Sequence, residues 1–174
     1  MPHLDASNAE VLVYTFKDGL LSAVAHDLKI RVGQLAIEVE GDEISATFNA
    51  DSLKVVCVRK DGADAQSLLP DMAFAEIEKN MHTEVLKAWR HPRIKFKSTS
   101  LTDDEVQGTL TLCSVARAVV GKRADDATHH GANFEIDQRD FGIRPYTAML
   151  GTLKVKPLVK VTVRIPRQHA VFDG

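Results

Sequence analysis

Apolar and polar residues alternate along most of this chain, the period expected of β-strands with one buried face. Val11 to Phe16 form a nearly continuous run of β-forming residues that ends at the turn signal Lys17-Asp18-Gly19. Between Leu20 and Glu40, Leu28, Ile30 and Val32 stand opposite Lys29 and Arg31, and Leu35, Ile37 and Val39 stand opposite Gln34, Glu38 and Glu40. The phase changes at Gly33, which marks a bulge or bend. Glu40-Gly41-Asp42 supplies the next turn, and Ile44, Ala46 and Phe48 share one face of the strand after it.

The middle of the chain breaks this rhythm. The polar stretch 58–70, VRKDGADAQSLLP, reads as a loop. Phe74, Ile77, Met81, Val85, Leu86 and Trp89 then recur at helical spacing. They predict one amphipathic helix over roughly 73–89, with Asp71 as N-cap and Pro92 as its stop. Trp89 at the helix end would either close the mouth of a barrel or anchor the helix. Alternation resumes with Ile94, Phe96 and Ser98, turns at Thr102-Asp103-Asp104, and continues through Val106, Gly108, Leu110 and Leu112. A strand over 115–120 and a polar loop from Gly121 to His130 follow. Ala132, Phe134 and Ile136 then define another strand. The last strand pair is 152–155 with 158–165, broken by Pro157, and it places Val159, Val161, Val163 and Ile165 on one face.

About eight strands, one helix and no internal repeat describe an all-β domain spanning residues 1–174. An antiparallel barrel satisfies the alternation and removes sheet edges. A two-sheet sandwich would give a similar pattern.

Composition narrows the function classes. A net charge of −2 gives no broad attraction to nucleic acid. No apolar run is long enough for a membrane-spanning helix. The N-terminus lacks a basic segment followed by an apolar stretch, so a cytoplasmic location is expected, or a periplasmic one if an export signal has been removed. Cys57 and Cys113 form no CxxC pair and read as small packing residues. His129-His130 resembles a metal pair, but neighbours on a strand point to opposite faces, and an exposed loop is the simpler reading. No zinc spacing, nucleophile elbow or phosphate loop occurs, so no metal, cofactor or catalytic residue is assigned and the chain is read as no enzyme. His26-Asp27 reads as a structural pair, with a ligand headgroup as the alternative partner for His26. Arg139 reads as paired with Asp140, with a polar ligand head as its alternative.

Three stretches resemble the YceI-like family of lipocalin-like, polyisoprenoid-binding proteins. They are HPRIKFKSTSL from His91 to Leu101, VQGTLTLCSVARAVV from Val106 to Val120, and FEIDQRDFGI from Phe134 to Ile143. AHDL from Ala25 to Leu28 adds a fourth. Cys113-Ser114 depart from the Gly and hydroxyl residue that usually continue the second stretch. The resemblance implies an extended eight-stranded antiparallel barrel with the amphipathic helix near its mouth. It also implies a long internal site for an isoprenoid lipid or quinone, bound, stored or carried. Val24, Phe48, Phe96, Leu110, Leu112, Phe134, Ile136 and Val161 are then the candidate apolar lining, with His26 and Arg139 as candidate polar contacts. Two alternatives stay open: a barrel filled by side chains that serves as a structural or interaction protein, and an enzyme acting on a lipophilic substrate. A homodimer is compatible with the pattern but not demanded by it.

Overall fold

The structure, a computed structural model, describes residues 3–18, 26–65, 71–151, 153–170 and 172. In chain order its strands are β1 His3–Leu4, β2 Glu10–Thr15, β3 Asp27–Val32, β4 Leu35–Glu40, β5 Glu43–Asn49, β6 Leu53–Lys60, β7 Ala63–Ala65, β8 Arg93–Leu101, β9 Glu105–Leu112, β10 Val115–Arg123, β11 His129–Asp137, β12 Thr147–Ala148, β13 Leu153–Lys154 and β14 Leu158–Pro166. The helix α1, Asp71–Asn80, lies between β7 and β8.

All strand pairs are antiparallel, and the order β4-β5-β8-β9-β10-β11-β14-β2-β3-β6 makes one curled sheet. Its two ends are joined by the chain itself. β3 runs into β4 through Gly33-Gln34, and β5 runs into β6 through a single 3-10 turn at Ala50–Ser52. The two bends are bonded to each other, Gly33 N–H to the Ser52 carbonyl and Asn49 N–H to the Gln34 carbonyl. With each bent run counted once, eight segments follow one another around the barrel and return to the first. This is the all-β, lipocalin-like architecture.

Gly33 is a bend, as the phase change in the alternation implies. The buried positions are Leu28, Ile30 and Val32 before it and Leu35, Ile37 and Val39 after it. An inserted residue flips which parity faces inward. A Cβ on Gly33 would lie 2.9 Å from the Ser52 carbonyl oxygen, so the close approach of the two bends needs glycine there.

Several element boundaries differ from the sequence reading. The stretch 58–70 is not simply a loop. β6 continues to Lys60 and turns through Asp61-Gly62, at φ 54° and 78°, into β7. Such an Asp-Gly turn is a strong hairpin signal, hidden here by the polar residues around it. The helix does not reach Trp89. After Asn80 it widens into a π turn over Met81–Val85, and Lys87 then takes a left-handed conformation at φ 48°. The chain therefore leaves the helix well before Pro92. Residues 121–130 are not one loop, because β10 extends to Arg123 and β11 begins at His129. Finally, β13 pairs with β12 rather than with β14, and Val155 bridges Lys17.

Candidate functional site

The barrel is hollow. A cavity of about 540 Å³ runs through it, within the range of small-molecule sites. Along β11 it is lined from His130 to Gln138, a span of about 26 Å at the usual strand rise. That length against that volume describes a narrow channel rather than a round chamber. The expectation of a barrel filled by its own side chains is thereby set aside.

The strands supply the lining through their alternation. Phe48, Phe96, Leu110, Leu112, Phe134, Ile136 and Val161 all face the cavity, joined by residues such as Val13, Ile30, Val119 and Val159. Val24 lies outside the described residues. Phe96 and Phe134 meet edge to face with ring centroids 5.9 Å apart, a favoured aromatic geometry. Room for these rings is made by two glycines on the neighbouring strands. A Cβ on Gly121, which is paired with Phe134, would meet that ring at 2.5 Å, and a Cβ on Gly108 would collide with the Phe96 ring and the Lys97 carbonyl. Both rings therefore settle against the wall.

One end of the channel is covered by α1 and the turn after it. Ala73, Ile77 and Met81 face the cavity, and so do the polar residues Glu76 and Asn80. Three side chains tie this cover to the barrel. Glu78 accepts the Val55 N–H at 2.9 Å, Asn80 donates to the Tyr146 hydroxyl at 3.1 Å, and His82 Nε2 lies 2.8 Å from the Leu53 carbonyl. Burial pushes the Tyr146 hydroxyl above its ordinary pKa, with Glu84 and Glu76 adding to the effect. His26 lines the same end, while Asp27 accepts the Lys17 N–H at 2.8 Å.

Arg139 does not line the channel. It pairs with Asp137 rather than Asp140, with Nε at 3.0 Å and Nη2 at 2.7 Å, and its side chain is 65% exposed. The residue turned inward is its neighbour Gln138, buried and donating to the Lys156 carbonyl at 3.2 Å. The short 3-10 turn at Gln138–Phe141 produces this exchange, with the Asp137 carboxylate capping the Arg139 N–H. Trp89 neither closes the cavity nor anchors the helix within the core, since it is 74% exposed. Cys57 is a buried free thiol whose pKa burial raises, and Cys113 is a half-buried one.

The opposite end of the channel lies under the β10–β11 connection. Arg123, Asp125, His130 and Phe172 line it. The sequence reading placed His130 in an exposed loop, but its side chain is only 14% exposed and His129 points to the other face of the strand. The signal was present in the alternation, since His130 continues the inward phase of Ala132, Phe134 and Ile136, and Arg123 that of Val119 and Gly121. Partial burial works to raise the Asp125 carboxyl, but hydrogen bonds from Arg123, the Gly131 N–H and His130 outweigh it and bring it down to about 2. Among the described residues no cluster of His, Cys, Asp and Glu could hold a metal ion, and no helix is long and apolar enough to cross a membrane.

Comparison with known proteins agrees with this geometry. The family model described as the YceI-like domain matches residues 3–166. Among solved structures, BcnA of Burkholderia cenocepacia is similar at 14% identity and a TM-score of 0.59, covering 91% of this chain and 95% of its own. A polyisoprenoid binding domain from Saccharophagus degradans is similar at 12% identity and a TM-score of 0.61, covering 95% and 97%. At such identities the likeness speaks for the fold. Comparison with curated proteins gives no match.

Proposed function

The chain belongs to the YceI-like family, and on that premise we propose that it is a binding protein, not an enzyme, that holds one isoprenoid lipid or quinone tail inside its barrel, to store or carry it. The observation that carries this reading is the channel itself: long, narrow, and walled by Val, Ile, Leu and Phe over its middle. Each buried methylene contributes about 0.8 kcal/mol, so one five-carbon unit gains on the order of 3–4 kcal/mol before the costs of association. A tail of a few units is enough for tight binding, and no bond need be made or broken. The solved polyisoprenoid binding domain of similar fold supports the ligand class.

Phe96 tests the reading. Phe96→Asp sets a carboxylate against the apolar channel beside Phe134, where a charge without a partner is costly. Titration of the folded variant with a short-tailed ubiquinone is expected to show affinity lowered by at least about 100-fold relative to the unaltered chain. Unchanged affinity in a folded Phe96→Asp variant would place the ligand elsewhere.

A further inference from the structure

The polar cluster beneath the β10–β11 connection is not needed to hold an apolar tail, yet it borders the channel. His130 Nδ1 lies 3.0 Å from Asp125 Oδ2 and 3.4 Å from Arg123 Nη2. A ring nitrogen between a carboxylate and a guanidinium donates to the carboxylate, so Nδ1 carries a hydrogen. Arg123 is committed elsewhere: it pairs with Asp125 and donates to the Thr102 carbonyl at 3.1 Å. Asp125 is committed too, accepting the Gly131 N–H at 3.0 Å with Arg167 at 3.5 Å. Two guanidinium groups already answer that carboxylate, so no charge on the imidazole is needed to balance it. The Phe172 ring meets His130 edge to face at 4.6 Å and fixes its plane.

What remains is Nε2. Among the described residues nothing hydrogen-bonds to it, and no buried side-chain nitrogen or oxygen lacks a partner, so Nε2 is accessible on a ring that lines the channel. In the neutral ring with hydrogen on Nδ1, Nε2 is a hydrogen-bond acceptor. It has no charge to offer a carboxylate or phosphate, and it rewards a hydroxyl.

We propose that His130 Nε2 is a binding site for a hydroxyl group, and that this end of the channel takes the alcohol end of an apolar chain. The ligand class is thereby a long-chain or prenyl alcohol, or a quinol whose ring enters first. This inference rests on the apolar-chain reading above and adds the polar group and its direction in the barrel.

The test is calorimetric titration of the full chain with farnesol, its methyl ether and the saturated hydrocarbon farnesane. Farnesol is expected to bind about 5–10-fold more tightly than the ether, the gain of one hydrogen bond. In His130→Phe, shown to be folded by its circular dichroism spectrum and a cooperative thermal transition, this preference disappears. In the unaltered chain, the nitrogen NMR signal of His130 Nε2 shifts on adding farnesol and not on adding farnesane, a readout that needs no variant. Equal affinity for farnesol and ether, a preference that survives His130→Phe, or an unmoved Nε2 signal overturns the inference and leaves the apolar-chain reading standing. If none of the three probes binds, the apolar-chain reading itself falls, and this inference with it.

Discussion

At the residue scale, the width of the channel is set by what Gly108 and Gly121 lack. Without their Cβ atoms, Phe96 and Phe134 lie back against the strands beside them. Gly121→Ala is expected to push the Phe134 ring toward the channel, because its nearest neighbours are all ring atoms. The cost should be about 1–3 kcal/mol in denaturant unfolding, together with weaker uptake of a short-tailed quinone. Gly108→Ala meets the Lys97 backbone as well and should cost more. The glycines could be read from the sequence as inward positions, but not as partners of particular rings, since that needs the cross-strand register. The β9–β10 turn is another residue-scale feature. Leu112 pairs with Val115, so Cys113-Ser114 form a two-residue turn, at φ 51° and 62°. A left-handed backbone suits Asn-Gly far better. Some of that strain is offset by the Cys113 thiol donating to the Leu86 carbonyl and by Ser114 Oγ 2.8 Å from His91 Nδ1. The double change Cys113→Asn, Ser114→Gly is expected to raise the unfolding free energy by about 0.5–1 kcal/mol.

At the scale of elements, the helical cover is held by polar ties as well as by the apolar contacts of Phe74, Ile77, Met81 and Val85. The Glu78 bond is the telling one. β6 is irregular against β3 near Lys29 and Ile30, and the Glu78 carboxylate, rather than another strand, takes the Val55 N–H. Glu78→Ala leaves that N–H unpaired, and the expected cost is about 1–3 kcal/mol. Hydrogen exchange should rise across residues 71–85 while β11 and β14 stay protected. Unchanged exchange in the helix would show that its apolar contacts alone hold it. The apolar stripe revealed that a helix exists and which face it buries. It did not reveal the end, because Lys87 rather than a glycine takes the left-handed turn, nor the ties, because Glu78 and Asn80 read as ordinary surface residues.

At the scale of the whole molecule, period-two alternation identified the long strands and their inward phase, and together with the family resemblance it gave seven residues that face the channel, while the short β1, β7 and β12 went unread. It did not show that the barrel is hollow, which depends on how side chains from different strands meet. Nor did it show the polar end of the channel, because charged residues at strand ends look like loop residues until their phase is followed. That end also contributes to the acid response. The Asp125 carboxyl sits at about 2 against an ordinary 3.8, so its contribution to stability is present above about pH 4 and is lost as pH falls toward 2. Asp125→Asn should therefore flatten the acid limb of a stability–pH curve, and an unchanged limb would assign it to other carboxylates. The proposed function has the barrel hold one apolar chain. Native mass spectrometry of the protein purified from bacterial cells tests it most directly, followed by solvent extraction of whatever is bound. One bound molecule per chain, extracted as a prenyl lipid or quinone, is the predicted result. A chain that is repeatedly empty and takes up no added isoprenoid quinone would contradict it.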